Sequence, residues 1–166
     1  MATTLKPLYA ASVNFTTTGL ASLASDASML AGWQSAVVDN TTNLYDDVLV
    51  AGVLKTGTTP TVGTPIEVWA YSILNDTPTY PDTITGSVGA LTLSSLNTKN
   101  SGGLKQAAYI TVDASTGQVY SFAFSLAGLF LGFMPKKWGL FIVQGTGAAL
   151  NATQVVSYMP MQWQSV

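Results

Sequence analysis

The sequence predicts an all-β chain, an antiparallel β-sandwich of roughly eight strands with little helix. Three observations carry this. Apolar residues alternate with polar ones in short runs, the period of two that sends strand side chains to opposite faces. Gly, Pro, Asn and Asp clusters end these runs at intervals of roughly 8 to 12 residues, the spacing of sandwich strands. At 166 residues the chain fits one domain with a self-sufficient core, and no internal repeat breaks it up.

Taken in order, residues 1–15 form an N-terminal arm or an edge strand, and 16–166 one sandwich domain. Thr16 to Ser28 has no firm period, so Leu20, Leu23 and Leu30 suit a short strand or a helical turn. The most legible stretch is Trp33 to Lys55, a strand, a polar corner and a second strand. The corner Asp39-Asn40-Thr41-Thr42-Asn43 holds short polar side chains that bond their own backbone. In the second limb Val48, Val50, Gly52 and Leu54 oppose Leu49, Ala51 and Val53, so both faces are apolar and the strand is expected to be covered on both. Thr64 to Leu74 is a strand rich in aromatic and β-branched residues, and Asn75 to Gly89 reads as a long surface loop joining strands of different sheets. Ala90 to Leu96 pairs briefly before a break at Asn97 to Gly103. Leu104 to Val112 and Gln118 to Phe124 flank a short Gly-ended connection, the pattern of a β-hairpin. Ser125 to Met134 is a helical turn capped by Ser125 or a continued strand. Trp138 to Gln144 is a strand, and Gln154 to Gln162, interrupted by Pro160, is a last strand expected at an edge or with a bulge.

Only 8% of the residues are charged, against roughly 25% in an average globular protein, and Thr, Ser, Asn and Gly carry the polarity. So neutral a surface exerts little long-range repulsion and suits a protein that works packed against other protein. The net charge is -2, and all six cations are lysines scattered along the chain. No basic stripe or arginine fork is present for phosphates and bases, so no nucleic-acid partner is expected. With no Cys and no His, disulfides, thiol catalysis and the usual zinc, copper and haem ligands are excluded, and no cofactor is expected. The longest apolar run, Leu126 to Met134, is about half the ~20 residues of a membrane helix, and no secretory h-region follows the N-terminus, so the expectation is a soluble cytoplasmic product with no membrane partner.

Without histidine, a serine nucleophile lacks its usual base. Asp39, Asp46, Asp47 and Glu67 are the candidates for carboxylate chemistry, but the adjacent Asp46 and Asp47 point to opposite faces of an extended chain and do not make a pair. Asp39 and Asp46 read best as caps of the polar corner, ahead of a calcium site and of catalysis. Gly145-Thr146-Gly147 lacks the third glycine of a dinucleotide loop. Four Asn-x-Thr acceptor patterns reflect the high Asn and Thr content. Trp69 and Trp138, in apolar strands, read as core; Tyr80 and Trp163 read as exposed and favour a protein interface over a sugar platform.

Several stretches together resemble a family of small virion proteins of tailed bacteriophages: GWQSAVVDNTTNLYDDVLVAGVLKTGTTPT, then IEVWAY, TPTYPD, and FSLAGLFLGFMPKKWGLFIVQGTGAALN. The similarity covers most of the chain from Trp33 onward and does not extend to the residues before it. It implies a jelly-roll decoration (cement) protein on the outside of the capsid, commonly a homotrimer, whose partner is the major capsid protein and whose location is the virion. Because termini are free to reach neighbours, Thr3, Thr4, Leu5, Lys6 and Leu8 of the arm, Tyr158, Met159, Met161 and Trp163 of the tail, and Tyr80 are the expected capsid or subunit contacts. A glycan- or receptor-binding module of a fibre or baseplate is the alternative reading, and a small polysaccharide hydrolase a further one. The main expectation is a structural protein rather than an enzyme.

Overall fold

The computed structural model describes residues 4–75, 77, 79–100 and 102–165. In chain order the strands are β1 (Leu5–Tyr9), β2 (Val13–Asn14), β3 (Ala31–Gln34), β4 (Val38–Asp39), β5 (Asp47–Lys55), β6 (Pro65–Ser72), β7 (Gly89–Thr92), β8 (Leu104–Thr111), β9 (Val119–Ser125), β10 (Lys137–Gln144) and β11 (Val155–Ser165). Two four-residue helices, α1 (Asn97–Asn100) and α2 (Leu126–Leu129), complete the elements. Ser125 caps α2, its hydroxyl accepting from the Gly128 N–H at 2.9 Å, which decides for the helical turn over a continued strand.

The strands form two antiparallel sheets. One runs β1-β11-β5-β9 with β2 beside β11, the other β7-β3-β10-β6-β8 with β4 beside β10. Leaving aside the short β2, β4 and β7, the first strand pairs with the last (β1 with β11), the second with the seventh (β3 with β10), the third with the sixth (β5 with β9) and the fourth with the fifth (β6 with β8). That is one long antiparallel ribbon rolled onto itself, the topology of a jelly roll. The core between the sheets is built by inward residues such as Val48, Val50, Leu54, Val68, Leu140, Ile142 and Trp138, all buried.

Four expectations are corrected. β8 and β9 do not form a hairpin: β8 pairs with β6 and β9 with β5, so the connection between them crosses from one sheet to the other. Val112 is bonded to Thr64 and Gly63, and Thr56 to Gln118, so each strand end is claimed by its own sheet before the chain can fold back. The long loop after β6 returns to β7 in the same sheet, passing over that sheet's outer face. There Ile84, Leu93 and Leu104 bury Trp69, Tyr71 and Phe141 in a second core. β11 lies inside its sheet, not at an edge, because Pro160 sits where its missing N–H costs nothing. Its carbonyl accepts from the Ala10 N–H at 2.9 Å, so its nitrogen faces the gap between β1 and β2 and not the ladder with β5. Finally, β5 is covered on one side only: Val48, Val50 and Leu54 are fully buried, while Leu49 and Val53 are 43% and 38% exposed.

Candidate assembly surfaces

The connections β4 to β5 and α2 to β10 lie at one end of the sandwich; those from β5 to β6, β8 to β9 and β10 to β11 lie at the other. At the first end the polar stretch Asp39 to Asp47 is a hydrogen-bonded bracket. Asp39 Oδ1 accepts from the Thr41 N–H (2.9 Å) and hydroxyl (2.6 Å), and its other oxygen pairs with Lys137 at 2.8 Å. The hydrogen bond from the Lys137 ammonium, followed by those from Thr41, holds the Asp39 carboxyl well below the usual carboxylate range. Asn40 closes the corner from both sides, accepting from the Tyr45 N–H at 2.8 Å and donating to the Tyr45 carbonyl at 3.1 Å. Asp46 accepts from the Trp163 N–H at 2.7 Å. Asp47, pointing the other way, accepts from Ser125 Oγ (2.7 Å), the Ala127 N–H (2.9 Å) and the Val48 N–H (2.7 Å). These carboxylates are backbone caps, and among the described residues no three His, Cys, Asp or Glu side chains gather as metal ligands would.

What the bracket presents is apolar. Leu44 is held at φ 53° and is 70% exposed; across the end, Leu131 sits at φ 60° and is 87% exposed, with Phe133 at 78%. Left-handed backbone is uncommon for leucine and costs on the order of 1–2 kcal/mol per residue, so two strained leucines display their side chains to water at one end of the fold. Grooves flank Lys136 on both sides, one lined by Leu74, Phe130, Phe133 and Pro135, the other by Asn40, Leu44, Tyr45 and Met134.

From the same end projects a terminal ribbon. β1 pairs with residues 161–165 of β11, Leu5 opposite Ser165 and Tyr9 opposite Met161, and every residue of β1 is exposed. Leu5, Pro7, Tyr9 and Trp163 share one face of the ribbon; Lys6, Leu8, Gln162 and Gln164 share the other. Two strands alone are marginal in water. Because Gln162 and Gln164 point their backbone groups toward β1, Pro7 presents its missing N–H to the outside, which blunts the free edge against strand addition.

The expected contact residues divide accordingly. Thr3 lies outside the described residues. Thr4, Leu5, Lys6 and Leu8 are exposed on the arm, which is an edge strand of the sandwich, and Trp163 is exposed beside it. Met159 and Met161 are half-buried on the ribbon's apolar side. Tyr158 points inward, its ring 5.1 Å from Phe15 and 5.5 Å from Trp138, and burial raises its hydroxyl above the ordinary range. Tyr80 is half-buried, edge-on to Tyr71 at 5.7 Å and distant from the ribbon's sheet, so the expectation of a free aromatic there is corrected. Sequence reasoning missed Leu44, Leu131 and Phe133; the available signal was apolar residues placed inside Asn- and Gly-rich turns. It also missed the ion pair between Glu67 and the buried Lys99 at 2.7 Å, which fastens α1 to the outer face of β6.

Fold and surfaces together define a jelly-roll sandwich with exposed apolar side chains at one end and on one flank. Scans against protein-family models, curated proteins and solved structures each returned no match.

Proposed function

We propose that this chain is a structural virion protein that binds the outside of a tailed-phage capsid and stabilises it by bridging major capsid protein subunits, as a homotrimer. The observation that carries the reading is the apolar end: Leu44 exposed on the hydrogen-bonded Asp39–Asp47 bracket, Leu131 and Phe133 exposed in the connection from α2 to β10, and Leu8 and Trp163 exposed on the terminal ribbon at the same end. Exposed apolar groups on a hydrogen-bonded frame lose little entropy on docking, which is the economy an interface requires. The resemblance of the corner and of the Pro-Lys-Lys-Trp-Gly stretch to virion proteins points to the same residues, since both stretches build that end.

Co-sedimentation with empty capsids tests the proposal. The wild type pellets with capsids and raises their thermal disruption temperature. Phe133→Asp and Leu131→Asp each weaken binding at least about tenfold, since a desolvated aspartate costs more than 1.4 kcal/mol. A protein that stays in the supernatant with capsids in excess overturns the reading.

A further inference from the structure

The flank of the molecule carries a second surface. On the outer face of the β1-β11-β5-β9 sheet, cross-strand partners fall into rows: Val155, Val53 and Ser121; then Ser157, Ala51 and Ala123; then Met159, Leu49 and Ser125; then Tyr9, Met161 and Asp47. The middle row of small residues is a valley between two rows of larger ones. Charge is confined to the margins, where Asp47 has both oxygens committed to Ser125, Ala127 and Val48, and Lys55 closes the opposite end beside Val119. Val53, Leu49, Val155, Tyr9 and Trp163 are all between 38% and 60% exposed.

We infer that this face is a self-association surface, covered by a second copy of the same chain. β11 is 11 residues long, about 37 Å, and with strands ~4.8 Å apart the face projects roughly 600 Å². Side-chain relief brings the accessible area near the ~800 Å² per partner of a standard interface. A neutral surface opposes a neutral surface without unpaired charge. Pro7 disfavours the competing mode, in which β1 adds edge to edge. The inference rests on the homo-oligomer part of the reading above and names its surface. In a cyclic oligomer joined by this flank, the apolar ends all point along the axis in one direction and can meet a common surface together.

Sedimentation equilibrium without capsids tests it. The wild type has a mass that is a multiple of 17.3 kDa, and Val53→Lys and Ala123→Lys both fall to 17.3 kDa with unchanged far-ultraviolet dichroism. Tyr109→Lys, exposed on β8 of the other sheet, keeps the wild-type mass. A monomeric wild type, or an oligomer unmoved by both lysine variants, overturns the inference. An oligomer dissolved by Val53→Lys whose wild type ignores capsids supports the flank assignment and removes the capsid reading instead.

Discussion

The two sheets of this sandwich share one core and differ in what lies behind them. Behind the six-stranded sheet, the chain between β6 and β8 folds back, and its Ile84 and Leu93, with Leu104 of β8, bury Trp69, Tyr71, Phe141 and Val143. Behind the five-stranded sheet no second layer is formed by the described residues, although β5 and β11 carry apolar side chains outward. One sheet is finished by its own sequence and the other is left open. The open face carries charge only at its margins, at Asp47 and Lys55, so the two outer faces differ in cover and not in having apolar side chains to bury.

Truncation on the two outer faces sharpens this contrast most. Phe141→Ala empties a fully buried site and is expected to cost about 3–5 kcal/mol. Leu49→Ala, at the matching depth behind the other sheet, is expected to cost under about 1 kcal/mol in dilute monomer. Urea unfolding midpoints of both variants, measured with the wild type, decide it. Equal losses would show that the five-stranded sheet is covered within the monomer.

A somewhat smaller effect tests how the covering segment is held. Lys99 donates to Glu67 at 2.7 Å and to the Met29 carbonyl, with its ammonium 5.4 Å from the centre of the Trp69 ring. Lys99→Ala removes this anchor and leaves Glu67 with the Trp69 N–H at 2.8 Å in place of a cation. The expected loss is about 3 kcal/mol in the same unfolding experiment. It is accompanied by faster amide exchange in residues 79–96, while β5 and β9 keep their protection. Uniform loosening of both sheets would contradict the role of Lys99 as a local anchor.

Much of the fold was legible because alternation reports strands directly: β5, β6 and β10 follow from Val48 to Leu54, Ile66 to Tyr71 and Trp138 to Val143. Pairing was less legible, since alternation is local and partners are not. The short link after β8 has a hairpin's length and glycine, yet Gly117 lies so close to the Thr56 and Gly57 carbonyls that it serves a crossing between sheets. A proline in β11 argued for an edge, and only the break between β1 and β2 shows how an inner strand accommodates it. The terminal part of the candidate surface followed from the freedom of chain ends. Its strained leucines did not, because the positive φ of Leu44 and of Leu131 belongs to local hydrogen-bonded turns, Asn40 with Leu44 and Tyr45 in one and Gly132 with Ala127 in the other, which strand alternation does not report.

The mildest test concerns the entry to β3, the strand next to the covering segment's edge strand β7. Asp26 accepts from the N–H groups of Ala31 (2.6 Å), Leu30 (2.8 Å) and Ser28 (3.0 Å). The Ala31 bond chiefly, opposed by some desolvation and aided by the bonds from Leu30 and Ser28, lowers its carboxyl below the ordinary value of 3.8. In the acid range the unfolded chain therefore holds a proton that the folded chain has released, and stability rises with pH. The contribution is complete above the ordinary carboxylate value and is lost as pH falls through the lowered one. Asp39 and Asp82 add to the same acid limb, so the informative quantity is the difference between wild type and Asp26→Asn. The wild type is expected to melt higher at pH 7, with the gap closing as the pH is lowered toward about 2. A gap that stays constant across that range would show that Asp26 holds the turn by shape alone, without its charge.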